Sequence, residues 1–278
     1  MSEPLDQRTP AELARGFAGV TAASILGNLF AYALLLSAAR VLAAEEYSAL
    51  VSLINVLLVG SVPAFALQAV IARRVATGNT HDLVRVSAVL AVAIGLIFAL
   101  LAPIEASFLH LQGVTAPLLV AAAVPGIALQ GLCQGVWQGR QAFVPLALTT
   151  FAGMLGRAGA ALLGLLIGGT ATATLTALAL GVTVTALVCL VKLPRTPDTE
   201  PSAPSSLAAE SGSLLSESAV AAHAYGVLLL LSVADLLLAS HVLDKQSAAI
   251  YAAGSVMTKA ALWLPQSAAN VLFASMTD

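Results

Sequence analysis

Three ionisable residues, Arg157, Asp235 and Lys259, sit inside long apolar stretches of the chain. An ionised side chain at the centre of a bilayer costs at least about 2.5–3.5 kcal/mol, so each should face a bundle interior or a water-filled cavity. Lys259 has the clearest context. At helical spacing Ser255, Lys259, Gln266 and Asn270 fall on one narrow stripe with Trp263 on the same face, and Pro265 frees a backbone carbonyl beside them. The first apolar stretch carries a similar stripe of Thr21, Ser24, Asn28 and Tyr32, and Arg157 shares its face with Thr150 and Gly153. Two cations in an enclosed aqueous lumen would attract a multiply charged anion such as a diphosphate, which Arg157 could grip bidentately. Three readings stay open for Asp235: a structural ion pair with Arg157 or Lys259, a proton- or ion-coupling group, and a surface position whose carboxylate reaches the interface.

The stretch LQGLCQGVWQGR places Gly131, Gly135 and Gly139 beside Gln130, Gln134 and Gln138, both series repeating every fourth residue. The glycines would let another helix approach closely, while the glutamines would hydrogen-bond across that contact or line a lumen. His110, His223 and His241 fall near the ends of apolar stretches and read as interfacial residues. Cys133 and Cys189 show no metal-ligand or redox spacing and read as small apolar filler. The sequence holds no Gly-rich phosphate loop, paired carboxylates, HExxH helix or strand-turn-helix serine, so neither nucleotide hydrolysis nor other catalysis is expected and no cofactor is called for.

The elements that must position these groups are membrane helices. Of the 278 residues 59% are hydrophobic and 9% charged, and the mean hydropathy of +0.94 lies outside the soluble globular class. A net charge of -2 gives no cationic surface for nucleic acid. A crossing needs roughly 20 apolar residues. Eight runs qualify: Phe17–Val41, Ala49–Ala72, Leu83–Ala102, Pro117–Val136, Phe143–Ile167, Ala171–Val191, Ala221–Val242 and Ala248–Ala274. They are too long and continuous for barrel strands, so the expected fold is an all-α membrane protein, a polytopic bundle of about eight helices. Arg8, Arg15, Arg73, Arg74, Arg85, Arg140, Lys192 and Arg195 would lie on one side and Arg40 and Lys245 on the other; that bias predicts a cytoplasmic N-terminus.

Residues 194–218, rich in Pro and Ser, read as a flexible cytoplasmic linker between a six-helix unit at 1–193 and a helix pair at 219–278. The later pair resembles the first pair of the chain. ARVLAAEEYSAL leads through an acidic turn to Tyr47 and Pro63, and SHVLDKQSAAIYAAG leads through a charged turn to Tyr251 and Pro265. This is the pattern of a parallel repeat, although similarity between two Ala/Leu-rich helices arises readily by chance.

The segments ARVLAAEEYSALVSLINVLLVGSVPAFALQAVIARRVA, QGVWQGRQAFVPLAL and VADLLLASHVLDKQSAAIYAAGSVMTKAALWLPQSAANVLF resemble those of bacterial polysaccharide flippases, oligosaccharide-lipid exporters of the superfamily that includes the MATE antiporters. The resemblance implies two six-helix lobes around a central cavity, of which this chain would hold a MATE-like N-terminal lobe and the first two helices of the second. It implies residence in the bacterial inner membrane and translocation of a polyprenyl-diphosphate-linked oligosaccharide by alternating access, with membrane lipid and other polysaccharide assembly proteins as partners. Arg157 and Lys259 match lumen cations of the family, and Asp235 falls where relatives carry an acid early in the second lobe. Two-lobed members continue for at least four more helices past the position of Asp278. A truncated product is therefore expected, or one completed by another polypeptide. Two alternatives accompany this reading: a MATE-like organic cation antiporter, and a non-transporting fragment or scaffold of a polysaccharide assembly complex.

Overall fold

The computed structural model describes residues 10–78, 83–193, 207–255 and 257–258, which are almost wholly helical and contain no strand. The helices are α1 (Pro10–Val41), α2 (Ala44–Gly60), α3 (Val62–Ala76), α4 (Leu83–Phe108), α5 (Thr115–Gly139), α6 (Phe143–Met154), α7 (Ala160–Gly168), α8 (Ala171–Lys192) and α9 (Leu207–Val242). A further helical segment runs over 245–255. Lys259, Gln266 and Asn270 lie outside the described residues.

Six segments are long and apolar enough to cross a membrane: Ala18–Val41, Ala44–Ala76, Leu83–Phe108, Thr115–Gly139, Phe143–Gly168 and Ala171–Lys192. The chain is a multi-pass, all-α membrane protein. Its outer surface is aliphatic, with Leu100 78% exposed, Val191 83% and Ile167 86%. Water against such a surface would cost about 25 cal/mol per Å², so these side chains belong in lipid.

Three expected spans are not simple helices, the fifth because a π-helical turn separates α6 from α7. The second is broken at Ser61, where α2 ends and Pro63 opens α3 within its first two positions. A proline offers no N–H and crowds the carbonyl four residues back, so the helix restarts there instead of continuing. Ser61 takes up one freed acceptor by donating its hydroxyl to Leu57 O at 2.8 Å. In α9 the parts Ser216–Val227 and Leu229–Val242 meet at 52°, beside Gly226.

The linker expected over 194–218 is corrected in its second half. Residues 194–206 lie outside the described residues, but α9 begins at Leu207. The LAAESGSLLSES stretch is composed largely of residues compatible with a helix, and tertiary contacts hold it in place. Leu214 is buried in a cluster with Leu67, Ile71, Val86, Leu132 and Val136, and Glu217 pairs with both Arg73 and Arg74.

At the centre stands α5, packed against α3, α4 and α8. Gly131, Gly135 and Gly139 lie on the backbone of α3: a methyl on Gly135 would come within 2.7 Å of Gln68 O, and methyls on the other two would overlap Ala64 O and Ala72 O. Helices in lipid gain little from apolar association, and this close backbone approach supplies the van der Waals contact that holds them together.

Contacts at the helix ends sort the joints into two faces of the bundle. One face gathers the turns near 42, 110, 170 and 243. There Lys245 Nζ donates to Glu45 Oε2 at 2.8 Å, Ala171 N donates to Glu46 Oε2 at 3.3 Å, and the His241 ring stacks on Phe108 with centroids 4.3 Å apart. The other face holds the ends of α3, α5 and α8 and the first turns of α9, joined by Arg73 and Arg74 to Glu217. The two turns read as copies of one another therefore meet side by side. Their tyrosines are not equivalent, since Tyr47 is buried and Tyr251 is exposed.

Candidate functional site

Between α6 and α7, residues Leu155–Gly159 form a π-helical turn, the sequence LGRAG. Such a turn inserts an extra residue and rotates the helix beyond it, and π-turns recur at functional sites. Two glycines permit it here. Gly156 and Gly181 bring the turn and α8 into backbone contact; a methyl on Gly156 would stand 2.7 Å from Gly181 O. With one side of the turn pressed flat on α8, Arg157 projects to the other side.

There Arg157 and Phe65 border two cavities. The smaller, about 230 Å³, is lined in addition by Asn28, Tyr32, Asn55, Ser232 and Ser255 among mostly aliphatic neighbours. The larger, about 500 Å³, is lined by Ser24, Thr150, Gln68, Gln130, Gln134 and Gln138. None of the residues lining either cavity is acidic. Among the described residues the Arg157 guanidinium makes no hydrogen bond and no ion pair. Arginine stays protonated in proteins and carries five donors, so this is a fixed positive charge with its donors directed into interior space.

Of the polar stripe of α1, Asn28 and Tyr32 border the smaller cavity and Ser24 the larger, while Thr21 borders neither. Ser255 joins them from the helix after α9, its buried Oγ without a hydrogen-bond partner among the described residues. Thr150 and Gly153 flank Arg157 along the larger cavity. Asp235 is elsewhere. It is exposed, accepts a hydrogen bond from the Tyr251 hydroxyl at 3.3 Å, and borders neither cavity. A pair between Arg157 and Asp235 is thus not formed.

The glutamines of α5 do both things open to them. Gln130 Nε2 donates to Thr185 Oγ1 at 2.7 Å and to Val182 O at 3.2 Å, tying α5 to α8, while Gln138 Oε1 accepts from Gln68 Nε2 at 2.9 Å. Gln134 makes no hydrogen bond among the described residues. Sequence reasoning misses Asn55, Gln68 and Ser232. The signal that could find Asn55 and Gln68 is the one that identifies the stripe of α1: each is a lone amide within an otherwise apolar run.

Outside the spans, the Asp244 carboxylate accepts hydrogen bonds from Ser247 N and Gln246 N, each at 3.0 Å, capping the last helix. Its hydrogen bonds from Ser247, followed by that from Gln246, hold its pKa below the ordinary carboxylate value. No protein family, curated protein or solved structure matches the chain.

Proposed function

We propose that the chain is the cargo-binding part of a transporter that moves a polyprenyl-diphosphate-linked oligosaccharide across the bacterial cytoplasmic membrane by alternating access, with its N-terminus and its Arg-rich face in the cytoplasm. The observation that carries this reading is Arg157: a guanidinium without an ion pair among the described residues, bordering two cavities of a membrane bundle. A fixed cation that no carboxylate balances is retained at such a cost when an anion from outside completes it. A diphosphate does so well, because its oxygens match the planar fork of the guanidinium. Lys259, outside the described residues, is proposed from the sequence alone as a second cation for the diphosphate. The resemblance to polysaccharide flippases points to the same cargo.

An exporter of organic cations would need an acid in its lumen, and among the described residues neither Asp235 nor Glu105 of α4, whose buried Oε2 has no hydrogen-bond partner, borders either cavity. The residues suggest no catalytic role, and the chain is proposed to act without a cofactor.

The test is equilibrium binding of a radiolabelled polyprenyl diphosphate to the protein in lipid nanodiscs. Arg157→Ala should weaken binding by roughly 10- to 100-fold, the worth of hydrogen bonds to a charged group. Arg157→Lys should recover part of that loss. Unchanged binding in Arg157→Ala would refute the proposal.

A further inference from the structure

The larger cavity has a composition that the cation alone does not explain. Its polar lining is dominated by side-chain amides: Gln130, Gln134 and Gln138 stand at successive four-residue steps of α5, about 6 Å apart along the axis, and Gln68 faces them from α3. Ser24 and Thr150 add hydroxyls, Arg157 also borders the cavity, and among the described residues no carboxylate or lysine is present in the lining.

Intramolecular hydrogen bonds use up only part of this capacity. The two donors of Gln130 are committed to Thr185 and Val182, and one Gln68 donor is committed to the Gln138 oxygen. What is left is the whole amide of Gln134, the Oε1 of Gln130, the Nε2 of Gln138, and the Oε1 and second N–H of Gln68. These groups alternate donors with acceptors and carry no charge. Simple packing does not account for them, since the glycines on the neighbouring stripe already make the close contact with α3. Gln134 and Gln68 are half-buried and Gln138 is exposed, so their unused amide groups are open to water or to a polar ligand.

The chemical class that meets such a row is a neutral polyol. Adjacent hydroxyls of a sugar ring donate and accept at once, as the two ends of a carboxamide do. An amine would find no countercharge in this lining and would be repelled by Arg157, and an acidic sugar would compete with the diphosphate for that one cation. We infer that the amide row of α5 and α3 is a saccharide subsite for an uncharged sugar, positioned so that the anionic group of the same cargo reaches Arg157. This inference rests on the proposed transport of a lipid-linked oligosaccharide and deepens it: the sugar nearest the diphosphate is neutral, and Gln134 is the chief specificity-determining residue.

The experiment measures binding to the full chain in nanodiscs with four probes: a polyprenyl diphosphate carrying a lactosyl group, one carrying a glucuronic-acid-terminated disaccharide, the bare polyprenyl diphosphate, and free lactose. Gln134→Leu should weaken the lactosyl lipid about tenfold, the worth of one or two hydrogen bonds, and leave the bare lipid unchanged. Gln134→Asn, which keeps the amide, should lie between that variant and the wild type and controls for misfolding. The lactosyl lipid should bind more tightly than the glucuronyl lipid. Equal losses for lactosyl and bare lipids, no loss for either, or tighter binding of the glucuronyl lipid would overturn the subsite. If no lipid diphosphate binds the wild type, the transport reading fails and free lactose decides the subsite separately. Lactose binding that Gln134→Leu abolishes supports it, and absence of lactose binding overturns it.

Discussion

The two neighbouring stripes of α5 do opposite work. One stripe, Gly131, Gly135 and Gly139, lies so close to α3 that a methyl group does not fit; the other, Gln130, Gln134 and Gln138, begins one residue away and opens on a cavity of about 500 Å³. Turning about 100° around the same helix passes from backbone contact to an amide-lined space. In lipid, small residues make a tight seam and polar residues are confined to the interior. A helix that separates the two by one position can be a structural post and a lumen wall together. The π-turn repeats the division, with Gly156 pressed on Gly181 of α8 and Arg157, the next residue, bordering both cavities.

Substitutions on the two stripes should therefore separate stability from binding. The largest effect is expected at the seam. Gly135→Leu must push α3 and α5 apart, and overpacking of this kind costs about 1–3 kcal/mol or more. Thermal unfolding in nanodiscs should show a clear fall in midpoint, with binding lost through the fold. Gly181→Val should act similarly by prising α8 from the π-turn and should also displace Arg157. A midpoint unchanged in both variants would contradict the seam.

On the lumen stripe the opposite pattern is expected. Arg157→Ala should leave the unfolding midpoint unchanged or raised, since it removes an uncompensated interior charge, while binding of the lipid diphosphate falls. A drop in stability comparable to that of Gly135→Leu would mean that the guanidinium is a structural partner.

Smaller effects are expected at the ends of the bundle. Glu217→Gln removes a carboxylate that faces both Arg73 and the mostly buried Arg74, and should destabilise by about 1–2 kcal/mol. Lys245→Ala breaks a pair whose side chains are half exposed or more, worth about 0.2–1 kcal/mol, and should fall at the limit of detection. Equal losses at the two ends would remove the distinction between them.

The apolar runs were legible because a helix in lipid must be apolar over its whole length, and six of them reappear as spans with ends within a few residues. The charged ends extend past the apolar limits: Glu45 and Glu46 begin α2, and Arg73 and Arg74 end α3, because polar residues continue a helix beyond the hydrocarbon. Helical periodicity groups Asn28 with Tyr32, and these two border one cavity together with Arg157 and Ser255. Other features depend on tertiary contacts that no local pattern encodes. The onset of α9 at Leu207 is supported by Leu214 and Glu217 finding partners on α3 more than a hundred residues away in the chain, as the pairs of Glu217 with Arg73 and Arg74 illustrate. The π-turn was hidden because LGRAG reads equally well as α-helix until Gly181 is placed opposite it. The separation of Asp235 from Arg157 comes from the side of α9 that faces Tyr251, which is a packing outcome.

The central claim, that Arg157 points into a water-filled lumen, is tested most directly by cysteine accessibility. Arg157→Cys, made in a Cys133→Ala, Cys189→Ala background, should react in membranes with a water-soluble, membrane-impermeant thiol reagent, and saturating polyprenyl diphosphate should slow that reaction. Reaction solely with a lipid-soluble maleimide, or with neither reagent in folded protein, would contradict the account.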